Sequence, residues 1–61
     1  DESAIATIVD EVMNDPASSA SIADIKAGKD KAIGYLVGQV MKKSKGQANP
    51  ALAQKLIRER L

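Results

Sequence analysis

Residues 30–50 read DKAIGYLVGQVMKKSKGQANP and carry the strongest structural signals in the chain. Their apolar side chains recur every three or four residues, which is typical of one buried face of an α-helix. The pattern predicts a helix over about 30–44 that ends at Gly46, because glycine readily adopts the left-handed conformation common after helices. Asn49 and Pro50 predict the start of the next helix, as an N-cap and a first helical residue. The predicted buried face consists of Ile33, Leu36, Val37, Val40 and Met41.

The segment before this stretch predicts two shorter elements. Apolar spacing predicts a helix over about 3–14 with Ser3 as its N-cap. This helix ends before Pro16, because the residue that precedes a proline is disfavoured in the α region. The Ala/Ser-rich residues 17–21 predict a loop or a frayed turn.

A short helix over about 21–27 follows, and Gly28 is predicted to be its left-handed C-terminal residue. The last helix is predicted over about 50–61, with Leu52, Ala53, Leu56 and Ile57 buried. The expected fold class is therefore all-α: a small bundle of three longer helices plus one short helix. The 61 residues are long enough for one domain only.

Composition argues against catalysis. The chain has no histidine and no cysteine, so it lacks the usual ligands of structural zinc and the usual general base. It has no stretch of about 20 apolar residues, as a membrane-spanning helix needs. Its carboxylates show no arrangement that would separate their pKa values for acid–base work. We expect a small binding module with no catalytic residues, no metal, no cofactor in this domain and no membrane association.

The charges are divided unequally along the chain. Residues 1–25 carry six acids and no base, whereas residues 26–61 carry nine bases and two acids. Such asymmetry indicates a partner for the basic half, with nucleic acid as the leading candidate. The alternative is a charge-complementary fold, in which an acidic helix lies beside a basic one.

Two glycines four residues apart lie inside the third predicted helix. Gly34 and Gly38 each cost about 1 kcal/mol of helix stability relative to alanine, so their presence indicates close approach of another backbone. That backbone is either a neighbouring helix or the sugar-phosphate chain of a nucleic acid flanked by Lys31, Lys42 and Lys45. Tyr35 lies on the same face and is predicted to pack at the edge of the core, with stacking on a base as the alternative.

A second cationic feature ends this helix. Lys42, Lys43 and Lys45 fall within four residues at the helix C-terminus, where two lysines would already complement the helix dipole. The third lysine favours an anionic ligand. The free N–H groups at the start of the fourth helix could also bind such an anion. Lys55 and Arg58 either extend this surface or form an ordinary solvated face.

Two stretches make a family resemblance specific. AGKDKAIGYLVGQVMK at 27–42 and KGQANP at 45–50 closely resemble the C-terminal tail domain of the B subunit of aspartyl/glutamyl-tRNA(Asn/Gln) amidotransferase. A small family of stand-alone bacterial proteins shares this domain. The resemblance covers about 22–61 well, and the first helix by pattern only. Pro16 comes earlier than the family's Asn-Pro, and Ile25 stands where an aromatic residue is usual.

The resemblance implies that the chain is part of a larger subunit. The parent complex converts Glu-tRNA(Gln) or Asp-tRNA(Asn) to Gln-tRNA(Gln) or Asn-tRNA(Asn), using ATP, Mg²⁺ and ammonia that the amidase A subunit releases from glutamine. A small C subunit completes it. The tail domain is expected to bind the outer corner of tRNA(Gln) or tRNA(Asn), in the bacterial cytoplasm or in an organelle. Taken with the basic pattern, the resemblance implies a set of RNA-binding residues: Lys31, Gly34, Gly38, Gln39, Lys42, Lys43, Lys45, Gly46 and Asn49. The alternative function is a protein–protein interaction module that contacts an acidic domain or subunit.

Overall fold

The computed structural model describes the backbone of residues 2–61 and the side chains of residues 3–61. Within this range the chain is all-α, as predicted, and contains no strand. The helices are α1 (Glu2–Asn14), α2 (Ser19–Lys26), α3 (Ala32–Lys43) and α4 (Pro50–Glu59), with a 3-10 turn at Pro16–Ser18.

Helix α3 is the centre of the bundle and packs against the other three helices. The predicted apolar faces meet there and form the core. The buried core residues are Val9, Val12, Ile25, Ile33, Leu36, Val40, Ala48, Ala53, Leu56 and Ile57. Of these, only Ala48 lies outside the predicted helices.

The first helix ends where the sequence predicts, at Asn14. Asp15 turns the chain, since its Oδ1 accepts a hydrogen bond from the N–H of Ala17 at 2.9 Å. The prediction that Ser3 caps the helix was wrong. Ser3 lies inside α1, where its carbonyl oxygen accepts a hydrogen bond from Thr7 Oγ1 at 3.1 Å.

The prediction of a loop or a frayed turn over 17–21 was wrong from Ser19 onward, where the chain is α-helical. The 3-10 turn continues directly into α2, which begins at Ser19 and thus two residues earlier than predicted. Ser18 is 2% exposed, and Ser19 Oγ donates to the carbonyl oxygen of Pro16 at 2.9 Å. Burial and this local bond order a segment whose composition is typical of a loop.

Gly28 ends α2 as predicted, with a φ of 97°. The N–H of the following residue, Lys29, donates to the carbonyl oxygen of Asp24 at 2.8 Å, which reverses the chain direction. Residues 29–31 therefore form a turn, and α3 begins at Ala32 rather than at residue 30.

One ion pair joins the acidic and basic halves among the described side chains. Arg60, just after α4, donates from Nε to Oδ1 of Asp10 on α1. Its Nη1 also donates to the carbonyl oxygen of Leu56 at 3.1 Å. Helix α1 also packs against α3 and α4, so the acidic helix lies beside basic ones as the charge-complementary alternative predicts, although only Arg60 forms an ion pair with an acidic side chain among residues 3–61.

Within residues 2–61, no helix has both the length and the apolar character needed to cross a membrane.

Candidate nucleic-acid interface

The glycines of α3 lie on its solvent side. Gly34 and Gly38 are both exposed, and a Cβ added at either position would meet no other atom within 4 Å. The alternative in which another helix of this chain packs against them is therefore wrong. A strip of bare backbone about one turn long is left open on the central helix.

Lysines lie at both ends of this strip. Lys31 keeps α-helical dihedral angles (φ −58°, ψ −28°) and so continues the path of α3 backwards by one residue. Lys42 follows it by 11 positions, close to three turns, which puts both on one face about 16 Å apart along the axis. Both are exposed, and neither forms an ion pair with any described residue. The α3 strip is defined here as Lys31, Gly34, Gly38 and Lys42.

Two other predicted residues of α3 lie beside the strip rather than on it. Gln39 follows Gly38 by one position and Lys43 follows Lys42 by one, so each is rotated by about 100° around the helix. Gln39 is half-buried and Lys43 is exposed.

The corner after α3 has an unexpected backbone conformation. Lys45 is left-handed (φ 57°), and Gly46 after it is left-handed as well (φ 78°). The N–H of Lys45 donates to the carbonyl oxygen of Lys42 at 3.2 Å, and that of Gly46 donates to the carbonyl oxygen of Met41 at 2.8 Å. This pair of bonds makes Lys45 the first left-handed residue of a Schellman motif. The prediction that Gly46 holds this position was wrong by one residue.

The loop after the corner is held by a side chain that sequence reasoning missed. Ser44 Oγ donates to the carbonyl oxygen of Met41 and accepts from the N–H of Ala48, both at 3.1 Å. Ala48 is 3% exposed and belongs to the core. The position of Lys45 is therefore fixed from both sides of the loop. The apolar Ala48 within a polar stretch was the available signal.

The start of α4 is capped by the chain itself. Asn49 Oδ1 accepts hydrogen bonds from the N–H groups of Ala51 (2.8 Å) and Leu52 (3.4 Å), and Pro50 has no N–H. The expectation that these N–H groups would receive an anion was wrong, because a neutral side chain already occupies them. The carboxamide oxygen of Asn49 is likewise used within the fold.

Tyr35 is 44% exposed, so the prediction that it packs in the core was wrong. It borders a shallow depression between α2 and α3, which we call the α2–α3 depression. Among residues 3–61 only one other large apolar side chain, Leu61, is exposed. The depression is lined by Tyr35 together with Ser21, Asp24, Gly28, Lys29, Asp30, Lys31 and Ala32.

Helix α4 presents a separate basic surface. Lys55 and Arg58 are exposed on its outward side and border a shallow hollow with Glu59. They share neither a helix nor a loop with the α3 strip. Reversing their charges is therefore a control for the effect of net charge on binding at the strip.

No group of three acidic, histidine or cysteine side chains comes together within residues 3–61.

Comparison with protein families gives a match over the whole chain. The family model described as the GatB domain matches residues 1–61. The chain belongs to this family. The match includes α1, which the sequence resemblance covered by pattern only.

Curated relatives give the same assignment over the whole chain. It is 51% identical over 61 residues to the B subunit of aspartyl/glutamyl-tRNA(Asn/Gln) amidotransferase from Listeria monocytogenes. The identity is 52% for the corresponding protein of Lysinibacillus sphaericus and 54% for that of Geobacillus thermodenitrificans, again over 61 residues. The similarity is to the C-terminal region of these proteins. The chain spans about 12% of the length of these relatives. No solved structure matched the chain.

Proposed function

We propose that this chain is the tRNA-binding tail domain of the B subunit of an aspartyl/glutamyl-tRNA(Asn/Gln) amidotransferase, and that it binds tRNA through the α3 strip and the Lys45 corner. The observation that carries this proposal is the pair of uncovered glycines, Gly34 and Gly38, on the central helix. No helix of the described chain uses them, and lysines without an ion-pair partner among residues 3–61 lie at either end.

The binding mechanism is electrostatic docking at short range. Lys31, Lys42 and Lys45 neutralise phosphates and release their counterions. The glycines remove the Cβ atoms that would keep a sugar-phosphate backbone away from α3. Contacts of this kind position a folded RNA by its shape and phosphate spacing, and they carry little base-sequence information.

In the parent protein the domain supplies binding and no catalytic group. We propose that the complex amidates Glu-tRNA(Gln) or Asp-tRNA(Asn), with ATP, Mg²⁺, the amidase A subunit and the small C subunit acting outside this domain. The proposed cellular compartment is the bacterial cytoplasm. The contribution of the tail is to hold the tRNA body while its aminoacyl end reacts elsewhere.

A pair of charge-reversed variants tests the proposal. Lys42→Glu/Lys45→Glu should weaken tRNA binding at least tenfold at low salt. It should also reduce the slope of log K against log salt by about 1.4 to 1.8, since two phosphate contacts are lost. The matched control is Lys55→Glu/Arg58→Glu, which changes the net charge equally on α4. Far-UV circular dichroism checks that both variants keep their helices.

Equal weakening by both variants would contradict the proposal, because it would indicate attraction by net charge alone. Unchanged tRNA binding in the α3 variant, with loss of binding to an acidic polypeptide such as polyglutamate, would support the alternative protein-interaction module instead.

A further inference from the structure

Tyr35 is the one aromatic side chain of the chain, and it is nearly half exposed. On α3 it follows Gly34 by one residue and is four residues after Lys31, so its ring borders the α3 strip. The bare backbone at Gly34 and Gly38 leaves the space beside it open. A flat π-face is therefore accessible next to the proposed phosphate contacts.

The α2–α3 depression beside Tyr35 is chemically mixed. Two acidic residues, Asp24 and Asp30, line it together with two basic residues, Lys29 and Lys31. An anion would be attracted by the lysines and repelled by the carboxylates. A nucleotide suits both the lysines and the carboxylates, because its phosphate is anionic while its neutral base carries N–H donors.

We propose that an unpaired nucleobase of the bound RNA leaves its stack and lies on the ring of Tyr35, with its N–H edge toward the carboxylates of Asp24 and Asp30 and its phosphate toward Lys31. The inference rests on the proposed function and adds to it a direct base contact. Guanine fits this edge best, since its ring N–H and amino group are adjacent donors that one carboxylate can accept together. The RNA element at this site is therefore a loop or bulge rather than a continuous duplex.

The ring of Tyr35 provides spectroscopic signals that report on stacking directly. Because the chain has no tryptophan and one tyrosine, its intrinsic fluorescence and its aromatic ring resonances come from Tyr35 alone. The experiment titrates the 61-residue chain at low salt with an RNA hairpin that has a guanine-containing loop. The same stem closed as a blunt duplex serves as the comparison. Anisotropy of the end-labelled RNA measures binding independently.

Stacking predicts that the loop RNA quenches tyrosine emission and shifts the ring protons upfield, whereas the duplex binds without either change. Tyr35→Ala should weaken loop binding about 10- to 100-fold and leave duplex binding within about twofold. Tyr35→Phe should retain loop binding to within about threefold, because it keeps the π-face. Asp24→Asn/Asp30→Asn should reduce the preference for guanine over uracil at the loop position.

Two results would overturn the inference. If the labelled hairpin binds while tyrosine emission and ring shifts stay unchanged, the stack is absent and the α3 strip alone remains as the site. If polyglutamate produces the same ring shifts and displaces the hairpin, the depression accepts a protein chain rather than a base. Loss of all RNA binding on Lys42→Glu/Lys45→Glu, with quenching retained in Lys55→Glu/Arg58→Glu, would support both proposals together.

Discussion

Lys45 and Gly28 occupy the same position in two Schellman motifs of one chain. Each is the first left-handed residue after a helix, with φ of 57° and 97° respectively. In both motifs the next N–H donates to a carbonyl five residues back at 2.8 Å. Glycine adopts this conformation without steric cost, whereas a side chain with a Cβ costs about 1 kcal/mol or more. The lysine is therefore strained at the corner where the proposed function needs a charge.

Lys45→Gly should raise the free energy of unfolding by about 1 kcal/mol, because it relieves this strain. Urea denaturation followed by circular dichroism measures the change. The matched control is Lys43→Gly, which removes the same charge inside α3 and should lower stability by about 1 kcal/mol. Loss of stability in Lys45→Gly would show that the left-handed backbone at this position is not strained.

The same Lys45→Gly variant should bind tRNA more weakly while it folds more stably. One lost phosphate contact lowers the salt slope by about 0.7 to 0.9. A filter-binding series at several salt concentrations measures that slope. Unchanged tRNA affinity would remove Lys45 from the interface.

Gly34→Ala and Gly38→Ala should each stabilise the isolated chain by about 1 kcal/mol. Both positions are exposed and lie within α3, where alanine is the better helix former and a Cβ meets no atom within 4 Å. Thermal unfolding should show a higher midpoint, by about 4 to 8 °C per kcal/mol. Destabilisation would mean that the glycines are covered in solution.

Gly38→Leu separates folding from binding. The variant should keep its helical signal, because the site is open, and should bind tRNA at least tenfold more weakly, because the side chain blocks backbone approach. Gln54→Leu, on the outward face of α4, adds the same side chain away from the strip and should leave tRNA affinity unchanged. An unfolded Gly38→Leu chain would favour the helix-packing interpretation instead.

The helix boundaries show which features a sequence can predict. Pro16, Gly28 and Asn49 act through their own backbone or side-chain chemistry, and each is found where that chemistry predicts. Ser19 begins a helix inside an Ala/Ser-rich segment, because packing of the neighbouring Ser18 against the bundle outweighs local composition. Burial of Ser18 depends on the tertiary fold, and a three-residue turn is too short to show a hydrophobic periodicity that would predict it.

In the candidate site, too, features set by local sequence could be predicted, whereas features set by tertiary packing could not. Helical periodicity correctly predicts that Gly34, Gly38 and Lys42 share a face of α3, but whether another helix covers it depends on the tertiary arrangement. Tyr35 was predicted to pack at the edge of the core because a lone tyrosine in such a position usually does, although its position on α3 already placed it with the exposed residues. The left-handed Lys45 could not be predicted, because Gly46 beside it is the residue that normally takes that conformation.

Asn49 should stabilise the fold through its cap bonds. Asn49→Ala should lower the free energy of unfolding by about 1 kcal/mol, since the N–H groups of Ala51 and Leu52 lose their acceptor. Asn49→Asp keeps an acceptor there and should fold as stably as the original chain, which urea denaturation would check. Equal losses in the two variants would show that the cap bonds contribute little.

The most direct test of the central claim is a map of backbone amide shifts on the 61-residue chain during titration with tRNA at low salt. We predict that the changes concentrate at Lys31, Gly34, Gly38, Lys42 and Lys45 and diminish as salt is raised. Changes concentrated instead on the outward face of α4, at Lys55 and Arg58, with the α3 glycines unmoved, would contradict the account.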